Sequence, residues 1–70
     1  MKMKISARNV FEGTVTDIKK GATTSHVTID VNGLIFTASI TNEAVEELGV
    51  KVGGTAKAII KSSDVLVAVA

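Results

Sequence analysis

The 70-residue sequence contains no cysteine, no proline, no tryptophan and no tyrosine, and it has one histidine. Without cysteine the chain forms no disulfide and offers a metal no thiolate, and one histidine cannot supply a histidine cluster. A domain this short buries a small core, so disulfides, a structural metal or association with other chains usually add to its stability. Because this sequence cannot form disulfides and offers few metal ligands, it predicts a homo-oligomer.

Aromatic side chains and net charge are also scarce. Both aromatic residues are phenylalanines, and the formal net charge is +1. Modules that bind single-stranded nucleic acid stack bases on aromatic rings and follow the phosphates with a basic groove. An OB-type nucleic-acid-binding module is the alternative function that we consider. Because the sequence has few aromatic residues and little net charge, its composition disfavours this function, and we expect no nucleic-acid partner.

Membrane and catalytic functions lack a sequence signal as well. No apolar run approaches the roughly 20 residues of a membrane-spanning helix, and the opening Met-Lys-Met-Lys leads into polar sequence, not into a signal core. We expect a cytoplasmic protein without a membrane partner. Catalysis needs a nucleophile with a base, or a metal. His26 alone provides neither, so we expect that the protein is not an enzyme and binds no organic cofactor.

The pattern along the chain predicts an all-β fold. The predicted strands are residues 4–7, 10–19, 24–31, 34–40, 55–61 and 65–69, and the one predicted helix is 41–49. Asn32-Gly33 predicts a two-residue hairpin. Thr41 or Asn42 can cap the helix, and Gly49 can end it. About five strands and one short helix match a small OB-like Greek-key barrel, which we expect to be a single domain over residues 1–70.

The apolar residues predict both a core and an interface. Alternation along the strand 34–40 and spacing in the helix predict these inward-facing side chains: Leu34, Phe36, Ala38, Ile40, Val45 and Leu48. The last predicted strand, 65–69, is apolar on both faces, a pattern typical of burial between two surfaces. We therefore expect this strand to lie at a subunit interface.

Two segments far apart in the sequence each combine a cation with small hydrogen-bond donors. They are Ser6-Ala7-Arg8-Asn9 and Lys61-Ser62-Ser63, and each lies beside a predicted strand. A guanidinium fork, an ammonium, hydroxyls and an amide would together bind a small oxyanion. Thr41 adds a hydroxyl at the helix start, where free N–H groups attract anions. The candidate oxyanion-binding residues are Ser6, Arg8, Asn9, Thr41, Lys61, Ser62 and Ser63.

The same segments carry a family resemblance that covers essentially the whole chain. They are Lys4-Ile5-Ser6-Ala7-Arg8-Asn9, Gly13-Thr14-Val15 with Lys19-Lys20-Gly21, Ile40-Thr41-Asn42-Glu43, and Ile60-Lys61-Ser62-Ser63-Asp64-Val65. With them the sequence resembles the molbindins, the small molybdate-binding proteins of Mop or TOBE type. The resemblance implies a fold with a strand exchanged between subunits, a hexamer built as a trimer of dimers, and molybdate as the ligand, bound as an oxyanion without protein ligands to the metal.

The resemblance also implies site residues. Those that match the family's oxyanion positions between two subunits are Ser6, Arg8, Thr41, Lys61 and Ser62. Ala44 stands where relatives can carry a serine, which removes one hydroxyl. A second possible oxyanion site lies at the turn Lys20, Gly21, Ala22 and Thr23, whose backbone N–H groups could form an anion nest. The implied role is intracellular molybdenum storage and homeostasis, and tungstate, an acceptor-only dianion of nearly the same size, should bind too.

Each of these features has a simpler interpretation. Arg8 could be a solvated charge or could pair with Glu12. Lys19 and Lys20 could belong to a solvated hairpin turn. Ser62-Ser63-Asp64 could form an ordinary turn in which the aspartate bonds to nearby backbone. These interpretations and the oxyanion sites predict different placements of the same side chains, which the structure reports.

Overall fold

A computed structural model describes residues 6–70 of the chain. Its elements are β1 (Asn9–Lys20), β2 (Thr24–Val31), β3 (Leu34–Thr41), α1 (Asn42–Leu48), β4 (Thr55–Ile60) and a 3₁₀ turn (Ser62–Asp64). The predicted fold class, all-β with one short helix, is confirmed. The described part of the chain contains no helix of the length and apolar character that crossing a membrane requires.

The strands form one antiparallel sheet of four strands in the order β3-β2-β1-β4. Three strands follow one another through short connections, and the fourth returns through the helix to lie beside the first, which is the Greek-key arrangement. β1 is the long central strand. Its first half pairs with β4, from Asn9 to Thr14, and its second half pairs with β2, from Thr14 to Lys20.

Gly13 allows the sheet to curl at the point where β1 changes partners. A Cβ atom at this position would lie 2.3 Å from the carbonyl oxygen of Asp30 and 2.8 Å from a methyl carbon of Val31. Two residues further on, a bulge shifts the register between Val15 and Asp17. A glycine and a bulge are the features that bend a strand sharply in small barrels.

The local turn and cap signals behave as their chemistry predicts. Asn32 and Gly33 both have positive φ, 49° and 93°, as a two-residue hairpin requires. The Thr41 side chain accepts a hydrogen bond of 3.1 Å from the Ala44 N–H and so caps α1. Gly49 ends the helix in the left-handed conformation, with φ of 67°.

The core is small. Among the described residues, the buried apolar ones are Val15, Val27, Ile29 and Val31. Phe11 and Phe36 stack with ring centroids 5.1 Å apart, and they pack with Val45 against that cluster. Leu34 and Leu48 were expected in the core but are 61% and 72% exposed. They lie at the first position of an edge strand and at the last position of the helix, where no neighbouring element covers them.

Neither predicted terminal strand is seen among residues 6–70. Lys4 and Ile5 of the predicted strand 4–7 lie outside the described residues, and Ser6 and Ala7 are not in a strand. Residues 65–69 have no pairing partner, and Leu66, Val67 and Val69 are 93%, 88% and 92% exposed. A strand forms only against another strand, so the described chain has four strands, not about five.

Candidate functional site

The β1–β4 ladder brings the two cation-bearing segments together. Asn9 pairs with Ile60 at the last position of this antiparallel ladder, although the two residues are 51 positions apart in sequence. Arg8 precedes Asn9 and Lys61 follows Ile60, so both cations continue past the same end of the sheet. Residues that face each other in an antiparallel pair have Cα atoms only about 5 Å apart. The backbones of Arg8 and Lys61 are thus brought close together where the ladder ends. We call this surface the ladder end and define it as Ser6–Asn9 and Lys61–Ser63.

Asn9 fixes the geometry of the ladder end. Its side-chain amide nitrogen donates a hydrogen bond of 3.1 Å to the carbonyl oxygen of Ile60 and is half-buried. The sequence predicted that this amide would face an anion, whereas in the structure one of its two N–H groups already ties β1 to β4. The second N–H remains available to a ligand.

The cations of the ladder end face solvent. Arg8 is exposed, and its Nη1 makes a long hydrogen bond of 3.4 Å to the carbonyl oxygen of Ser6. Within residues 6–70, no hydrogen bond joins Arg8 to Glu12, the simpler partner that the sequence offered. Lys61 is exposed and precedes the 3₁₀ turn. Both charges are thus presented to a ligand from solvent or to a neighbouring molecule.

Ser62 and Ser63 lie in the 3₁₀ turn. The Asp64 N–H donates to the carbonyl oxygen of Lys61 at 2.9 Å, and the Val65 N–H donates to that of Ser62 at 3.3 Å. The segment is therefore a turn, as the simpler interpretation predicted. Backbone groups close this turn, whereas that interpretation expected the Asp64 side chain to bond to the backbone. It has no side-chain cap, so both serine hydroxyls are exposed beside Lys61.

Thr41 lies at the opposite end of the sheet. It pairs with Thr24 on β2, next to the position where Ser25 pairs with Lys20 at the last residue of β1. The ladder end adjoins the first residue of β1. Strand pairing within one chain therefore brings Arg8, Asn9 and Lys61 together but not Thr41. The Thr41 oxygen accepts from the Ala44 N–H, and its hydroxyl proton remains free to be donated.

The second predicted site, the turn Lys20–Thr23, is held by one side chain. The Asn42 amide nitrogen donates to the carbonyl oxygens of Gly21 at 3.1 Å and Ala22 at 3.3 Å. The Asn42 backbone N–H donates to the carbonyl oxygen of Thr23 at 3.0 Å. Three consecutive carbonyls of the turn are thereby bonded to the first residue of α1.

The other face of Asn42 reaches into the protein. Its side-chain oxygen accepts a hydrogen bond of 2.6 Å from the hydroxyl of Ser25, which is 1% exposed. Sequence reasoning considered Asn42 only as a helix cap and did not consider Ser25. The signal was nonetheless present: Thr41 and Asn42 are two capping-type residues in succession, and a helix uses only one of them as its cap.

An apolar cleft of about 500 Å³ lies between the sheet and the end of α1. Its lining includes Val27, Ile29, Ala38, Ile40, Val50 and Ala56. Among the described residues there is no group of three or more histidine, cysteine, aspartate or glutamate side chains placed to hold a metal ion. The polar groups that the structure assembles are hydrogen-bond donors and cations, which suit an anion better than a metal cation.

The structure defines the class of protein as a small Greek-key β domain, with exposed cations and hydroxyls at one sheet end. Among known families, the one described as "TOBE domain" matches residues 5–67. The chain belongs to the TOBE-domain family, as the resemblance of its motifs predicted.

Two individual relatives of the chain have names that refer to molybdenum. It is 46% identical over 66 residues to molybdenum-pterin-binding protein 1 of Clostridium pasteurianum, covering 93% of this chain and 97% of that protein. It is 47% identical over 66 residues to the molybdenum transport protein ModE of Herbaspirillum seropedicae, covering 93% of this chain but 24% of ModE. The chain therefore spans about a quarter of that relative and nearly all of the other.

A solved structure gives the same result for the fold. A molybdate-binding protein from Sporomusa ovata superimposes with a TM-score of 0.90 at 35% identity, covering 94% of this chain and 98% of that one. The family is one of molybdate-binding proteins and not a family of enzymes. The all-β prediction and the Mop-type resemblance are both confirmed.

Proposed function

We propose that this protein binds molybdate, as the MoO₄²⁻ dianion, at boundaries between subunits. The observation that supports this proposal is the β1–β4 ladder, whose last pair is Asn9 and Ile60, so that Arg8 and Lys61 are the next residues of the two segments at one exposed sheet end. Relatives and structural neighbours that cover most of the chain are named as molybdate- or molybdenum-pterin-binding proteins, and the ladder end supplies the chemistry that such a ligand needs.

Molybdate at neutral pH has four oxygens that only accept hydrogen bonds. The ladder end offers a guanidinium fork, an ammonium and the hydroxyls of Ser6, Ser62 and Ser63. Each charge-assisted hydrogen bond is worth roughly 1.5–3 kcal/mol net, so three or four together contribute roughly 4.5–12 kcal/mol, a range that includes the about 8 kcal/mol of micromolar binding, before immobilisation costs are subtracted. Phosphate keeps a proton at this pH and needs an acceptor, so an all-donor site disfavours it.

The complete site requires a second subunit. Thr41 carries a free hydroxyl proton but lies at the other end of the sheet from Arg8 and Lys61. We propose that Thr41 of one subunit joins the ladder end of its neighbour. Association has an evident driving force, because residues 65–70 expose an apolar segment and the sheet leaves an apolar cleft open. The segment would fill that cleft in a neighbour, as a strand exchanged within a hexamer built as a trimer of dimers.

The turn Lys20–Thr23 is the proposed second class of oxyanion site. It is exposed, it follows a lysine pair, and its carbonyls are bonded to Asn42. Anions bind at such turns through successive backbone N–H groups. A protein with both classes would bind more than one anion per subunit.

The physiological role that fits this chemistry is storage and homeostasis of molybdenum in the cytoplasm by a single TOBE domain, residues 1–70. Tungstate shares the charge, shape and acceptor-only oxygens of molybdate, so the proposed site binds both. The role requires no catalysis and no organic cofactor.

Isothermal titration with sodium molybdate tests the proposal. Wild type should bind at micromolar concentration, and native mass spectrometry should show a discrete oligomer carrying more than one anion per subunit. Arg8→Ala should weaken the first class by about thirtyfold, since it removes about 2 kcal/mol of charge-assisted bonding. Lys51→Ala is the matched control, because it removes an exposed cation from the turn before β4, at the opposite end of that strand from Ile60, and should leave binding unchanged. A monomer that binds no molybdate would contradict the proposal.

A further inference from the structure

We propose that Asn42 is the positioning residue of the second oxyanion site: it turns the backbone N–H groups of Ala22 and Thr23 outward, where they bind the anion. This inference rests on the proposed function, since the turn is one of its two site classes. Asn42 itself would not touch the anion, because its amide nitrogen and oxygen are both occupied by protein groups.

The orientation of the Asn42 amide follows from its partners. The groups at 3.1 and 3.3 Å from one amide atom are the carbonyl oxygens of Gly21 and Ala22, which only accept. That atom is therefore the nitrogen, and the oxygen faces the Ser25 hydroxyl at 2.6 Å. A side chain that donates twice on one side and accepts on the other must be a carboxamide, so no carboxylate or aliphatic side chain of this length reproduces the arrangement.

Peptide geometry explains how an anion site can form from this grip, by which we mean the two hydrogen bonds from the Asn42 side chain to the carbonyl oxygens of Gly21 and Ala22. The described chain contains no cis peptide bonds, and in a trans peptide the C=O and the following N–H point in opposite directions. Because the Gly21 carbonyl faces Asn42, the Ala22 N–H faces away from it. Because the Ala22 carbonyl faces Asn42, the Thr23 N–H also faces away from Asn42. Two successive donors are therefore presented on the solvent side of the turn.

Those two donors have no competing acceptor within residues 6–70. The Gly21 N–H is used, because it donates to the Thr24 carbonyl oxygen at 2.7 Å. No hydrogen bond from the Ala22 or Thr23 N–H to another protein group is present in the described chain, and both residues are exposed. Lys20, also exposed, precedes them and contributes the positive charge. An acceptor-only dianion fits this set, whereas the carbonyl oxygens of Gly21, Ala22 and Thr23, which could attract a cation, are already bonded to Asn42.

The buried end of the amide makes the grip rigid. Ser25 is 1% exposed and lies in β2, where it pairs with Lys20 and Ile40 on the two neighbouring strands. Its hydroxyl bond to Asn42 thus anchors the turn to a buried residue of a strand that has neighbours on both sides. The peptide planes of the turn are held before the anion arrives, so less ordering is needed on binding.

The test compares Asn42→Asp with Ser25→Ala. Asn42→Asp keeps the size of the side chain and the oxygen that accepts from Ser25, but it removes both N–H groups that hold the turn. Ser25→Ala removes one hydrogen bond from the same network and leaves those N–H groups in place. Asn42→Ala removes the grip without adding negative charge, and it must agree with Asn42→Asp.

The readout is a molybdate titration of the full-length oligomer followed in ¹H–¹⁵N spectra, together with calorimetric stoichiometry. In wild type the Ala22 and Thr23 amides should shift on saturation. In Ser25→Ala they should still shift, with second-class affinity weakened less than in either Asn42 variant, because the two N–H groups that hold the turn remain. In both Asn42 variants the second class should bind at least about tenfold more weakly, while the amides beside Arg8 and Lys61 respond as in wild type. A merely structural role would lower both classes together, in Ser25→Ala as well.

Three results would overturn the inference and are distinguishable. If the Asn42 variants keep second-class affinity, the turn does not need the grip. If wild-type Ala22 and Thr23 amides ignore molybdate while the ladder end responds, the second site class is absent and only the first part of the proposed function stands. If neither region responds, the proposed function itself fails.

Discussion

The ladder end and the turn Lys20–Thr23 lie at opposite ends of β1 and present donors in opposite ways. The ladder end uses side chains, namely the exposed groups of Arg8, Lys61 and the serines, and strand pairing supplies their proximity. The turn uses backbone N–H groups, and the side chain of Asn42 supplies their orientation. The same ligand chemistry can therefore be built either by placing side chains on a fixed backbone or by fixing a backbone with a side chain.

The comparison explains which mutations each region tolerates. A site made of side chains fails when those side chains are changed. A backbone site tolerates changes of its own side chains but fails when the residue that holds it is changed. Gly13→Ala should damage both regions alike, and Thr23→Ala should damage neither.

Gly13→Ala should have the largest effect, because both regions depend on the curl of β1. The new Cβ would lie 2.3 Å from the Asp30 carbonyl oxygen, which forces two backbones apart and costs about 3 kcal/mol. For a domain of this size, that lowers the melting temperature by more than about 12 °C. Both classes of anion binding should be lost with it. Thermal unfolding followed by circular dichroism measures the first effect.

Gly33→Ala is the control for that prediction. Its Cβ would meet nothing within 4 Å, although its φ of +93° disfavours a side chain. Backbone strain of this kind costs about 1–2 kcal/mol, less than the clash at position 13. If Gly13→Ala and Gly33→Ala have the same melting temperature, the close approach of the strands at Gly13 does not maintain the curl of β1.

Thr23→Ala should have the smallest effect. The Thr23 contribution to the turn is its backbone N–H, and its carbonyl is held by the Asn42 backbone N–H, so removing the side chain changes neither. We expect second-class molybdate affinity within about threefold of wild type, less than 0.7 kcal/mol on the scale of about 1.4 kcal/mol per tenfold. Calorimetry checks this. A large loss would mean that the threonine hydroxyl binds the anion and that the turn resembles the ladder end.

Much of the fold was predictable from local chemistry. Asn32-Gly33 admits the positive φ values of a tight hairpin, and Thr41 and Gly49 supply the caps of α1. These signals act over a few residues and do not depend on tertiary contacts. Burial was less predictable: Leu34 and Leu48 have the correct period for the core but lie at the ends of their elements, where nothing packs over them.

Residues 65–69 show the limit of single-chain reasoning in a different way. Their alternation reads as a strand, yet a strand needs a partner, and the single chain leaves both faces exposed. The sequence pattern reflects an environment that one copy does not contain. The interface and the hexamer remain predictions for that reason.

The candidate site likewise has one part that the sequence predicts and one part that it does not. Charged and hydroxyl side chains at Arg8 and Lys61 can be recognised in a sequence, and their convergence follows once β1 and β4 are paired. The grip of Asn42 on Gly21 and Ala22 has no such signature, because it depends on where two connections of the fold meet. Sequence reasoning found the turn only through a family resemblance and did not find the residue that holds it.

The central claim is that one oxyanion site combines the ladder end of one subunit with Thr41 of another, and a mixing experiment tests it most directly. Arg8→Ala and Thr41→Val should each weaken first-class molybdate binding when assayed alone, because each removes a donor from every site. After the two variants are unfolded and refolded together, some sites receive Arg8 from one variant and Thr41 from the other. Our account predicts that calorimetry then recovers first-class binding at wild-type affinity in a fraction of the sites. A mixture that binds no better than either variant would show that Arg8 and Thr41 do not complete one site from separate subunits, and it would contradict the account.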